Sequence, residues 1–159
     1  MTVAVWRIAS DAPDWEATDL GGRGAERTGG RWNRTGTPVV YASSSVALAC
    51  LETVVHLNGG GLPLNRYLVR IEVPDALWAA RAVFDAAAAD AVGWDAEPAG
   101  RVSLAWGQAW LLGRASLLAS VPSIVVPEER NVLVNPAHAN APRLKASKRR
   151  KWIYDGRLV

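Results

Sequence analysis

Glu52 is the residue whose type and position most strongly suggest chemistry. It is the only formally charged residue between Ser44 and Leu57. Leu48 lies four positions before it and Val55 three after, so at helical spacing it shares the apolar stripe expected to face a core. A carboxylate there is costly unless a cation or several hydrogen-bond donors lie within reach. Such a group belongs either to a structural ion pair or to an active site, and spacing alone leaves both readings open.

Two further stretches could work with it. In Gly29-Gly30-Arg31-Trp32-Asn33, the glycines permit unusual backbone or close approach of a ligand. The guanidinium offers a planar fork for phosphate or carboxylate, and the indole can anchor the loop in a core. The bland alternative is a surface turn held by Trp32. In Val121-Pro122-Ser123-Ile124-Val125-Val126-Pro127 a hydroxyl interrupts an apolar series, and Ser123 either donates to a ligand or satisfies a backbone group.

Other chemistries lack support. No Gly-Lys-Ser/Thr phosphate loop, no Gly-x-Gly-x-x-Gly between a strand and a helix, and no Gly-x-Ser-x-Gly elbow occurs. The two histidines, His56 and His138, are far apart and have no cysteine or carboxylate cluster at ligand spacing, so no metal site is expected. The single cysteine, Cys50, excludes an intrachain disulfide and fits a reducing compartment. Neither an export signal nor a run approaching the ~20 apolar residues of a membrane span is read, so the cytoplasm is the expected location.

The elements that must position these residues follow from periodicity. Val3 to Ile8 alternates as a strand, and Pro38 to Ala42 follows a turn and carries β-branched Val39 and Val40. Ser43, Ser44 and Ser45 supply N-caps for a helix reaching about Leu57, and Asn58-Gly59-Gly60-Gly61 continues as loop. Arg66 to Val73 is a third strand, ended by Pro74. Arg101 to Arg114 is amphipathic at helical spacing, with Gly113 near its end. Ser116 to Val126 and Asn131 to Val134 read as later strands, and Ala86 to Ala89 as a helical turn or surface connection. The class is α+β, without strict βαβ alternation. With 159 residues, half of them apolar, and no linker or repeat, residues 1–159 are expected to form one domain.

Charge is unevenly spread. Residues 143–159 hold seven basic groups against one acid, net +6, on a body of net −3. This basic segment is a solvated terminus or a contact for nucleic acid or an acidic partner. Trp152, Ile153 and Tyr154 imply that part of it folds back as a final strand.

Taken in order, Trp6-Arg7-Ile8, Gly30-Arg31-Trp32-Asn33, Tyr41-Ala42-Ser43, Ala49-Cys50-Leu51-Glu52, Trp106-Gly107-Gln108-Ala109-Trp110-Leu111, and Pro122-Ser123 through Asn135-Pro136-Ala137-His138 resemble the RES-domain toxins of RES–Xre toxin–antitoxin systems. The resemblance implies an ADP-ribosyltransferase-like fold of mixed sheets with flanking helices. It also implies NAD as substrate, no tightly bound cofactor, growth arrest by NAD depletion or ADP-ribose transfer, and a helix-turn-helix antitoxin of the Xre type. The arginine, glutamate and serine that name the family fall on Arg31, Glu52 and Ser123, and Tyr41 matches a further active-site position.

The residue types suit that reaction. Nicotinamide leaves from an already cationic ring, so bond breaking needs charge stabilisation at an oxocarbenium-like ribosyl centre more than protonation. Glu52 would hold a ribose hydroxyl and stabilise that centre, and Arg31 would grip a phosphate or orient Glu52. Tyr41 would offer a face to the nicotinamide, Ser123 a hydroxyl to fix the ligand, and Arg7 a contact for the pyrophosphate. Water, phosphate or a protein side chain as acceptor would use the same residues. A basic nucleic-acid-binding module is the alternative from another class. No recognised nucleic-acid motif supports it, and most tryptophans sit in apolar patterns.

Overall fold

The computed structural model describes residues 1–57 and 61–158. The predicted loop at Asn58, Gly59 and Gly60 lies outside them. The described residues form seven strands: β1 (Thr2–Ser10), β2 (Val40–Ser43), β3 (Arg66–Pro74), β4 (Ala82–Val83), β5 (Leu118–Pro122), β6 (Arg130–Val134) and β7 (Lys145–Trp152). They form one sheet in the order β4-β5-β6-β2-β1-β3-β7. Only β4 and β5 run parallel, so the architecture is α+β with a mixed sheet.

The sheet is nearly two. β1 pairs with β3 along nine residues, Thr2 to Ser10, but with β2 only at Trp6 opposite Ser43. Beyond that pair both strands keep edges without a strand partner. Arg7, Ile8, Ala9 and Ser10 of β1, and Tyr41 and Ala42 of β2, line a cavity there.

Helix α1 (Arg23–Thr28) and α3 (Asp75–Ala79) are too short to register as a helical period, whereas α2 (Val46–Val54) and α4 (Arg101–Gly113) match the expected helices. Ser45 caps α2 by accepting from the Leu48 N–H at 3.1 Å, an interaction worth about 1 kcal/mol. The helix stops at Val54. Val55, expected on the core stripe, is 54% exposed. The apolar contacts of α2 run through Leu48 and Ala49, the latter packing with Ile8, Leu68 and Tyr154.

Two further expectations are corrected. The strand expected over Ser116 to Val126 ends at Pro122, and Ser123 opens a turn beyond it. The final strand precedes rather than contains Ile153 and Tyr154: β7 covers Lys145–Trp152, Ile153 is exposed, and Tyr154 is buried. The alanine run lies, as expected, in a turn, which leads into a 3-10 helix at Ala89–Ala91. Among the described residues no helix is long and apolar enough to cross a membrane.

Candidate active site: a carboxylate held at the mouth of a split sheet

Where β1 and β2 part, a cavity of about 1170 Å³ opens, lined among others by Arg7, Arg31, Tyr41, Glu52, Arg66 and Asn131. Its volume exceeds the several hundred Å³ typical of small-ligand pockets, which leaves room for an extended ligand.

Glu52 reaches it from the last turn of α2. Its Oε1 accepts from Ser123 Oγ at 2.5 Å and from Asn131 Nδ2 at 2.8 Å. Oε2 accepts from none of the described residues. The carboxylate thus has the donors its setting requires, and they are neutral. No ion pair joins it to Arg31, so of the two roles expected of Arg31 a direct orienting contact with Glu52 is not formed.

Ser123 is also corrected. It has no exposed surface, and its hydroxyl is fully used. It donates to Glu52 and accepts from the N–H groups of Val125 and Val126, both at 3.1 Å. One donor and two acceptor sites exhaust a hydroxyl. Ser123 therefore holds Glu52 and leaves no site on its hydroxyl free.

Arg31 also lines the cavity, and its guanidinium is held by the 94–97 segment. It donates to the carbonyls of Trp94 and Ala96 at 3.2 and 2.7 Å and pairs with Glu97 at 2.8 Å. Sequence spacing offered no sign of this partner, which lies 66 residues away.

The turn carrying Arg31 is fixed from three directions. Trp32 is buried in an edge-to-face cluster with Phe84 and Trp106, at 5.0 and 5.8 Å between ring centres. Asn33 is buried and donates to the carbonyls of Ala25 and Thr37. Tyr41 Oη donates to Asn33 Oδ1 at 2.7 Å and accepts from the Trp32 N–H at 3.1 Å. Gly30 is required because a Cβ there would lie 2.6 Å from Tyr41 Oη. Burial pushes the Tyr41 phenol up to about 12, against the opposing Trp32 N–H and the nearby Arg31 charge. Its hydroxyl is therefore structural, and its ring is what it offers the cavity.

Arg7 lines the cavity without a close ion-pair partner among the described residues. Burial pulls its guanidinium down to about 10, with only partial relief from the Asp19 charge, and its Nε is buried with no hydrogen bond. Arg66 also lines the cavity, with a buried Nε that has no hydrogen bond to the described residues. Sequence reading missed Arg66, Asn131 and Ser43. An arginine opening a strand and polar residues at strand ends carry no distinctive signal until the sheet assembles.

A RES domain model matches residues 4–155. The chain belongs to the RES-domain family. Among relatives of this RES chain, the Prs ADP-ribosylating toxin of a Sphingobium species is 59% identical over 159 residues, covering all of this chain and 98% of that protein. Toxin Res of Pseudomonas putida is 37% identical over 143 residues, covering 89% and 90%. Among solved structures, the Mycobacterium tuberculosis MbcT-MbcA toxin-antitoxin complex contains a chain similar in fold. It shares a TM-score of 0.62 and 19% identity, over 93% of this chain and 84% of that one.

Among the described residues, no group of three or more histidines, cysteines or carboxylates could hold a metal. The basic residues of this RES chain's last segment lie largely on β7, an exposed strand at the sheet edge. Lysine and arginine at such an edge discourage pairing with another chain.

Proposed function

We propose that this RES domain is a toxin that cleaves the nicotinamide–ribose bond of NAD. The observation that carries the proposal is a carboxylate held by two neutral donors, with one oxygen left over, in a cavity that also presents Arg7, a guanidinium lacking a close ion-pair partner among the described residues. A dinucleotide supplies what the site lacks: anionic phosphates for the arginines and a ribosyl centre that becomes positive as the bond breaks.

In the proposed reaction the C1′–N bond breaks heterolytically and its electron pair stays on nicotinamide, which leaves neutral. The free oxygen of Glu52 accepts a ribose hydroxyl and faces the oxocarbenium-like centre. Arg7 holds the pyrophosphate, and the Tyr41 ring packs on nicotinamide. Arg31 anchors the wall of the site and turns to a phosphate where the ligand outcompetes Glu97. With water as acceptor, the products are nicotinamide, ADP-ribose and a proton. With phosphate, the ribosyl carbon bonds to a phosphate oxygen instead. Ser123 acts through Glu52.

A second reading of the same site has a protein side chain accept ADP-ribose. The 59% identical Sphingobium relative, an ADP-ribosylating toxin, favours it. The similar fold found in a toxin-antitoxin complex supports an antitoxin partner, for which we take the Xre helix-turn-helix type. We take residues 1–159 as one NAD-binding unit acting in the cytoplasm without a tightly bound cofactor.

Incubating the pure chain with NAD, with and without phosphate and with a cell extract, and identifying products by mass spectrometry tests these readings. Free nicotinamide is expected in every arm, and its absence from all of them rejects the activity. ADP-ribose, its phosphate ester or a modified protein then names the acceptor.

A further inference from the structure

Asn131 sits where β6, β2 and α2 converge. It lies opposite Ser43 in the β2–β6 register, and Ser43 is the residue through which β2 meets β1 at Trp6. Ser43 Oγ donates to Asn131 Oδ1 at 2.8 Å, and Asn131 Nδ2 donates to Glu52 Oε1 at 2.8 Å. Ser43 is buried, with 3% exposure.

A carboxamide is an acceptor on one side and a donor on the other. The Glu52 carboxylate only accepts, so Nδ2 faces it and Oδ1 is left to take the Ser43 hydroxyl. The flipped amide would set its oxygen against the carboxylate oxygen, one acceptor against another. We propose that Asn131, locked by Ser43, is a positioning residue that selects the working oxygen of Glu52. Asn131 and Ser123 engage the same atom, Oε1, from two different elements: the start of β6 and the turn after β5. One donor would leave the carboxylate free to pivot about a single contact. Two donors on one oxygen fix its plane, and Oε2 is the oxygen turned to the ribosyl centre.

The assignment of Oε2 to a ribosyl centre rests on the NAD reading, whereas the hydrogen-bond chain does not, so two measurements separate them. In turnover, Asn131→Ala should lower kcat for nicotinamide release by about ten- to a hundredfold, the worth of a hydrogen bond to a charged group, with KM within about twofold. Asn131→Asp, equal in size but facing Glu52 with an acceptor, should lose at least as much, and Ser43→Ala less. A variant whose KM rises while kcat holds would put Asn131 on the substrate and overturn the proposal.

In urea unfolding of wild type, Asn131→Ala, Glu52→Ala and the double variant, the two sites should couple by more than about threefold in the unfolding equilibrium constant. Additive effects would overturn the proposal whatever the turnover. Should wild type release no nicotinamide, the NAD reading falls while this coupling still decides the role of Asn131.

Discussion

Ser123 Oγ lies 2.5 Å from Glu52 Oε1, and the serine has no exposed surface. Ser123 and Glu52 thus form a unit in which only the glutamate lines the cavity. The consequence is a difference in how their variants fail.

Glu52→Gln should keep the fold and lose most NAD turnover, because an amide cannot offset developing positive charge. Ser123→Ala should lower kcat with KM nearly unchanged. It should also destabilise the chain by about 1–3 kcal/mol, because the Val125 and Val126 N–H groups lose their acceptor. Nicotinamide release and urea melts on both variants make the comparison. Full turnover in Glu52→Gln rejects the catalytic role.

The Tyr41 phenol, raised to about 12, gives a pH signature. An unfolded tyrosine ionises near about 10, so the unfolded chain loses its proton first. The stability tied to this group is complete below about pH 10 and is lost as pH climbs toward 12. Tyr41→Phe should be less stable at neutral pH, by about 1–2 kcal/mol for the lost bonds to Asn33 and Trp32, and should show a shallower alkaline decline. Equal alkaline slopes in urea titrations of variant and wild type would contradict the assignment.

Arg7 has the opposite signature. Burial lowers its guanidinium to about 10, so its desolvated charge opposes folding at neutral pH. Arg7→Met should therefore melt at a higher temperature than wild type in the absence of ligand, yet gain less from added NAD or pyrophosphate, the trade expected of a ligand-binding charge. A variant stabilised by NAD as much as wild type would remove Arg7 from the site.

Gly107 lets α4 approach the Arg31 turn. A Cβ at this position would collide with the Trp32 carbonyl oxygen and lie 2.8 Å from its carbon. Gly107→Ala should cost about 3 kcal/mol or more, since backbone rather than a flexible side chain must move, and should displace the turn bearing Arg31. Thermal melts and NAD turnover read both effects; an unchanged melting temperature would show that the helix slides without penalty.

Residue order by itself determined the main elements, because alternation in Arg66–Pro74 and helical spacing in Arg101–Gly113 are local properties of side-chain burial. It also determined which residue types could serve the reaction: Glu52, Arg31 and Tyr41 all line one cavity. The sheet's near-division at Trp6 and Ser43, the pairing of Arg31 with Glu97 instead of Glu52, and the burial of Ser123 were decided only by tertiary structure. Each depends on contacts between segments far apart in the chain, where a partner is chosen by the geometry of packed elements and leaves no period or motif in either segment. A carboxylate on a helix announces that it needs donors, but only the assembled sheet determines that they come from Ser123 and Asn131.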